Sequence, residues 1–369
     1  MIMRHDVVEK VNDNPEFNKD VPDSFGAGFC TDHKIQSIRK RLKEGDRITE
    51  EAWTQLLEYA EKSLEVEPKA VADFNVPGYY RDDEGHNRMK NLLSRQSMAA
   101  YSTALAWRIG WELKEDERDA YLRHAMALLN EWSGVNKTAS GNDGELVMCY
   151  NGTAFIFAAE LIDGAAQWKS DHRTRFSEWV ETVFREAAGI KNKNNNWACW
   201  GILAAVSADV YLGDKKSFKD NVERLKKIIG KQIEPDGRMP AEINRGSRGV
   251  WYTYFALAPL TAAMETVRNA GGPDLFYYGP ESGGSVKDAV EFFYENALKD
   301  IFKWPDSSVK ERFRPRRSGR NGALMYAMGI IYGRPEWREY AEHPIWRDRT
   351  GLAWINPSLL RPEASAVKD

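Results

Sequence analysis

Apolar residues recur at helical spacing from about residue 48 to residue 340, and alternating β-branched runs are almost absent. The pattern predicts an all-α protein. In ITEEAWTQLLEYAEKSLEV, Trp53, Leu56, Leu57, Tyr59 and Ala60 share one stripe, behind Thr49 and acidic residues that suit a helix start. RMKNLLSRQSMAAYSTALAWRIGWEL and ERDAYLRHAMALLNEWSG read as a long and a shorter helix joined through Lys114 to Asp116, an αα-hairpin. The scheme continues through ELVMCYNGTAFIFAAELIDGAAQW, RTRFSEWVETVFREAAG, NNWACWGILAAVSADVYLGD and KSFKDNVERLKKIIGKQI, where Phe218, Val222, Leu225 and Ile229 keep helical spacing. Segments rich in small and aromatic residues alternate with charged ones. Each hairpin must cover its apolar face with its neighbours, so the expected fold is an α/α toroid, an incomplete α/α barrel of helical hairpins. The expected organisation is an N-terminal extension over 1–45 and a single toroid domain over 46–369. The Gly/Pro-rich stretches NVPGYYRDDEG, NAGGPDLFYYGPESGG and FRPRRSGRNG read as long loops at one mouth of the toroid, where a rigid scaffold commonly carries its site.

Composition narrows the function. With 369 residues, 42% hydrophobic and 29% charged, the chain can bury a large core and is not intrinsically disordered. Lys plus Arg number 52 against 55 Asp plus Glu, a net charge of -3, which gives no global reason to bind nucleic acid or an anionic membrane. Any polyanion must meet a local basic cleft. Cys30, Cys149 and Cys199 are too few and too far apart for a disulfide framework, and no Cys/His spacing resembles a zinc site, so neither metal nor cofactor is expected. The stretch MIMRHDVVEKVNDNPEFNKD lacks a signal-peptide apolar core and no later run approaches a membrane span; the expectation is a cytoplasmic protein or a trimmed secreted or periplasmic one. The 13 Trp, 15 Tyr and 15 Phe exceed the usual share; most belong in the core, and the remainder suit sugar-stacking platforms.

Two segments carry chemistry. KNKNNNWACWGILAAVSADVYLGD places Asn194, Asn195 and Asn196 before an apolar helix; one Asn satisfies the N-cap and two remain to be explained. EPDGRMPAEINRGSRGVWYTYFALAPL packs Glu242, Arg245, Arg248, Trp251, Tyr252 and Tyr254 ahead of a helix expected to kink at Pro259. Together they resemble the α/α-toroid alginate lyases, the mannuronate lyases and the related glucuronan-cleaving lyases. The resemblance rests on Asn195-Asn196-Trp197-Ala198-Cys199-Trp200, on Asp236-Gly237, Glu242 and Arg245-Gly246-Ser247-Arg248, and on Tyr252, seven residues after Arg245. It spans roughly residues 90 to 265 in style. One position departs: Trp197 stands where that family has its active-site His, and an indole N–H donates but accepts no proton.

The resemblance implies a lyase that removes the C5 proton beside a uronate carboxylate and expels the C4 oxygen of a β-1,4-linked polyuronate, polymannuronate or glucuronan. Charge then builds on the carboxylate, where Asn196 and Arg245 can place donors. Tyr252 is expected to serve as base and acid, with Arg245 and Arg248 favouring its phenolate. Mannuronate and glucuronate put the C5 hydrogen and C4 oxygen on the same side, so one residue can serve both in a syn elimination. Asn195, Trp197, Arg248, Trp200, His86, Gln96, Tyr150 and Arg316 are the expected substrate contacts, with Asn151 also on an inner helix. His86 is the candidate to replace the missing His. Arg312, Arg314, Arg316, Arg317 and Arg320 form a basic cluster suited to uronate carboxylates. The expected partner is an anionic polysaccharide or oligosaccharide. Two rival readings are a glycoside hydrolase using Glu242 and Asp236 as paired carboxylates, and a non-catalytic uronan-binding protein.

Overall fold

Short polar side chains fix where the helices begin. In the computed structural model, which describes residues 27–306, 308–310, 320–341 and 353–365, α1 (Asp32–Lys43) starts at Thr31, whose hydroxyl accepts the Lys34 N–H. α2 (Arg47–Ser63) starts at Asp46, which accepts from Thr49. After strand β1 (Asp73–Asn75), α3 (Asp83–Ile109) is capped by Asp82 and stopped by Gly110 at φ 56°, a left-handed conformation that costs glycine little. α4 (Glu115–Val135) returns beside it, completing the predicted hairpin. Strand β2 (Thr138–Ser140) follows; then a short helix, Gly144–Val147, runs through a π-type turn, Met148–Gly152, into α5 (Thr153–Ile162). α6 (Ser170–Trp179), α7 (Asn196–Leu212), α8 (Lys215–Gln232), α9 (Gly249–Asn269), α10 (Val286–Phe293), α11 (Arg320–Ile331) and α12 (Pro335–Glu339) follow, with shorter helical turns between them.

The alternation expected from the sequence is an arrangement of inner and outer helices. α3, α5, α7 and α9 pack on one another, and α5, α7, α9 and the second half of α3 are buried nearly all round: every residue from Gln96 to Ala106 in α3, from Ala198 to Val210 in α7 and from Thr253 to Val267 in α9 is buried. Their many Ala residues let the backbones approach closely. α2, α4 and α8 bury one face only, in α8 through Phe218, Val222, Leu225 and Ile229. Pro259 sits inside α9 without ending it. The result is the α/α toroid.

Three features depart from the sequence expectation. The first is a parallel two-stranded ribbon, β1 with β2, pairing Asp73 with Thr138, Phe74 with Ala139 and Asn75 with Ser140. Second, within the segment assigned to an N-terminal extension, α1 contributes Ile35, Ile38 and Leu42 to the same core as the toroid. Phe29 stacks on Phe157 with ring centroids 5.2 Å apart, and the Lys34 ammonium lies 2.6 Å from Glu265 of α9. Third, the stretch Gly144–Ile162 is long and apolar enough to cross a membrane, contrary to the expectation for the chain. It is 89% buried inside the fold and serves as a core helix.

Candidate active site

The ribbon places the site. Backbone bonds from Val76 N–H to Ser140 O at 3.0 Å and from Asp143 N–H to Val76 O at 3.1 Å tie the loop after β1 to the loop after β2. Gly141, at φ 80°, permits this crossing; a Cβ there would lie 2.4 Å from the Val76 carbonyl oxygen. The two loops, the first turn of α3, the start of α7 and the segment 245–255 enclose a cavity of about 710 Å³. Tyr79, Tyr80, Arg81, His86, Lys90, Asp143, Tyr150, Asn196, Trp197, Arg245, Arg248, Trp251, Tyr252 and Phe255 line it. A separate cavity of about 530 Å³ between α2 and α3 holds none of the predicted site residues.

Seven of the sequence candidates meet here: Tyr252, Asn196, Arg245, Trp197, Arg248, His86 and Tyr150. Asn196 is buried and held from both ends by Glu242, whose carboxylate accepts the Asn196 backbone N–H at 2.5 Å and its Nδ2 at 2.8 Å. The Asn196 Oδ1 meets no partner. Arg245 lies over the Tyr252 ring, its guanidinium carbon 4.1 Å from the centroid, a cation–π contact. The Tyr252 hydroxyl shares a 2.8 Å hydrogen bond with that of Tyr80, and Arg248 Nη1 donates to Tyr80 at 3.4 Å.

The arginines favour a phenolate on Tyr252, as expected, but they do not prevail. Burial and the hydrogen bond with Tyr80 push Tyr252 up to about 12, against the lowering influence of Arg245 and Arg248. Burial works the same way on Tyr80, but the Tyr252 hydroxyl and the charges of Arg245 and Arg248 outweigh it and hold Tyr80 below the ordinary phenol range. The two phenols share their titration. The first phenolate forms on Tyr80.

Other candidates fall elsewhere. Asn195 is the α7 N-cap, its Oδ1 accepting from Trp197 N–H at 3.1 Å, and it does not line the cavity. Trp200 is buried between Tyr150 and Phe255, with ring centroids 5.6 and 5.0 Å away. Gln96 faces the loop before β1, donating to Glu67 O at 2.8 Å and accepting from Lys69 N–H at 2.9 Å. Asn151 is buried in the π-type turn. Arg316, with Arg312, Arg314 and Arg317, lies outside the described residues, and α11 begins at Arg320. The rival hydrolase pair does not assemble either: Glu242 is fully buried on Asn196, while Asp236 is exposed and paired with Arg238 at 2.7 Å.

The sequence reading missed Tyr79, Tyr80 and Asp143 as site residues. Adjacent tyrosines in a Gly/Pro-rich loop were a usable signal, because exposed aromatics in such a loop have no core to fill; Asp143 offered none.

An α/α toroid with a tyrosine- and arginine-lined cleft at one mouth is the class of protein that fold and site define. Residues 43–304 match the family model described as alginate lyase, and the chain belongs to that family. Among relatives, a polysaccharide lyase of Stenotrophomonas maltophilia (strain K279a) is 26% identical over 220 residues, covering 55% of this chain and 65% of that protein. An alginate lyase of Pseudomonas syringae pv. syringae is 30% identical over 118 residues, 31% of this chain and 29% of its own. The matches thus span less than two thirds of either relative. Among solved structures, an alginate lyase from Bacteroides ovatus superposes with a TM-score of 0.70 at 17% identity, over 91% of this chain and 99% of that one. Alginate lyase A1-III from Sphingomonas species A1 gives 0.70 at 17%, over 88% and 94%.

Proposed function

We propose that the protein is a polysaccharide lyase that cleaves a β-1,4-linked polyuronate, polymannuronate or glucuronan, by syn β-elimination, leaving 4,5-unsaturated uronate ends. The observation that carries this reading is that Tyr252, Asn196 and Arg245 line one cavity. Family membership and the names of the relatives support it, as does alginate lyase A1-III, a variant of which has been solved with a tetrasaccharide.

The chemistry follows from the geometry. Arg245, stacked on Tyr252, brings its fork beside the phenol, where a uronate carboxylate would sit next to the C5 hydrogen. The Asn196 amide, held by Glu242, would add a second donor, and neither donor must reorganise as charge develops. Tyr252 is too weak an acid to ionise alone, so it passes its proton across 2.8 Å to the Tyr80 phenolate as it takes the one from C5. The C5–H electrons form the C4–C5 double bond and the C4–O bond breaks toward the leaving oxygen. Tyr252 then gives that oxygen the proton it took, and Tyr80 returns the other. Trp197, half-buried in the wall, offers a face for a sugar ring.

The test is a panel of polymannuronate, polyguluronate, glucuronan and polygalacturonate, read by the ultraviolet absorbance of unsaturated product. Absorbance growing with chain scission supports the lyase. New reducing ends without absorbance identify a hydrolase, and binding without product identifies a uronan-binding protein.

A further inference from the structure

Among the described residues, one imidazole lines the cavity, and its surroundings define its chemistry. His86 Nδ1 lies 3.0 Å from Asp143 Oδ2 and 3.1 Å from the Pro77 carbonyl oxygen. Both are acceptors, so Nδ1 carries the hydrogen and the neutral ring keeps its lone pair on Nε2. Asp143 is itself fixed by the Tyr79 N–H at 2.9 Å, and the Tyr79 ring meets His86 edge-on at 5.3 Å. The His86 side chain is only 9% exposed, so the ring is oriented rather than freely solvated. Holding the loop uses Nδ1 alone. Nε2 has no part in that tie, and it belongs to a residue lining the same cavity as Tyr252.

His86 and Tyr252 also stand on different walls. One is in the first turn of α3 and the other at the start of α9, with Tyr79 and Tyr80 bridging between them. Two proton carriers on separate walls are what an opposite-side elimination requires. We propose that His86, oriented by Asp143, is a second proton acceptor of this cavity and extends cleavage to uronates whose C5 hydrogen and C4 oxygen lie on opposite sides of the ring. The inference rests on the lyase reading above. In this mode Nε2 takes the C5 proton and the C5–H electrons form the C4–C5 double bond. The C4–O bond breaks, the Tyr252 phenol protonates the leaving oxygen, and solvent carries the proton from imidazolium back to the phenolate.

The test compares kcat/KM on polyguluronate and polymannuronate for the wild-type chain and His86→Asn. The Asn amide nitrogen occupies the place of Nδ1 and keeps the tie to Asp143 and Pro77, while Nε2 is lost. Wild type is expected to release unsaturated product from both polymers. His86→Asn is expected to lower the polyguluronate-to-polymannuronate ratio of kcat/KM by about a hundredfold or more, the usual scale of a lost general base. An unchanged ratio, whether both rates fall or neither does, would overturn the proposal and leave His86 as a loop tie. So would a wild type that cleaves polymannuronate and not polyguluronate. If wild type acts on neither, nor on the other polyuronates, the lyase reading itself has failed. Should His86→Asn fold poorly, His86→Gly with added imidazole replaces it: rescue confined to polyguluronate supports the proposal, and equal or absent rescue on both polymers counts against it.

Discussion

Glu242 offers the most direct test of how the site is built, because it touches the reaction only through Asn196. Its carboxylate presents two acceptors to two donors, the Asn196 backbone N–H at 2.5 Å and Nδ2 at 2.8 Å. Glu242→Gln keeps the shape but offers one acceptor and one donor. The backbone N–H cannot turn, so the Gln oxygen stays on it and the Gln NH2 faces the Asn196 NH2. The clash is relieved if the Asn196 amide flips, putting its oxygen on Gln and its nitrogen where Oδ1 now lies without a partner. Replacing two charge-assisted hydrogen bonds by neutral ones costs about 1–3 kcal/mol. Burial already raises the Glu242 pKa, so part of that cost is recovered when the charge is removed. A stability loss of about 1–2 kcal/mol is therefore expected, measured by urea unfolding. Activity should fall much further: a misaimed donor at the developing carboxylate charge costs about a hundred- to a thousandfold in kcat, read by product absorbance with little change in KM. A kcat within about tenfold of wild type, in a protein destabilised as expected, would refute the claim that Glu242 aims Asn196 at the substrate.

Tyr252→Phe keeps the ring beneath Arg245 but removes the proton-carrying oxygen; turnover should vanish while oligouronate binding persists, and a rate within about tenfold of wild type would remove Tyr252 from the reaction. Arg245→Lys should also be severe, because an ammonium reproduces neither the guanidinium's contact with the ring at 4.1 Å nor a bidentate grip, and near-normal kcat/KM would place Arg245 off the carboxylate. The depressed Tyr80 supplies the phenolate above its folded pKa, so kcat should rise with pH below the ordinary phenol range. Tyr80→Phe should abolish that limb in a pH–rate profile. Glu160, half-buried and with its carboxyl pushed up to about 8 by burial, retains a proton that the unfolded chain, near 4.5, releases. The folded state binds more protons between these values, so stability tied to Glu160 is fully present below pH 4.5 and lost as pH rises through about 8, roughly 5 kcal/mol in all. Glu160→Gln should flatten this fall in urea unfolding at pH 5 and pH 8, and an unchanged difference would assign the slope to other groups.

The fold was legible because helical hairpins write a strong period into the chain, and the outer helices α2, α4 and α8 carry it most clearly. The ribbon was not: three residues in β1 and three in β2 are too few for an alternation to register. That ribbon is what brings residues 76–86 against residues 141–143, so the pairing of His86 with Asp143 lay beyond any local reading. Within the inner helices the sequence named the right segments and could not choose among their residues. α7 is apolar on all sides, and nothing in its pattern says that Trp197 faces the cavity while Trp200, three residues on, packs against Tyr150 and Phe255. Gln96 shares α3 with His86 but serves the loop before β1.

The electrostatic expectation was incomplete for a related reason. Two arginines flanking a tyrosine in sequence suggest a stabilised phenolate, but a cation stabilises the oxygen only if it lies near the oxygen. Arg245 covers the ring, Arg248 reaches Tyr80, and burial dominates at Tyr252. Of the pair, the more exposed phenol, Tyr80, is therefore the easier to ionise. Trp197 belongs to the same argument. An indole cannot accept a proton, so any acceptor role must pass to other residues of the cavity lining. Tyr80 and His86 are both set there by the ribbon that the sequence concealed.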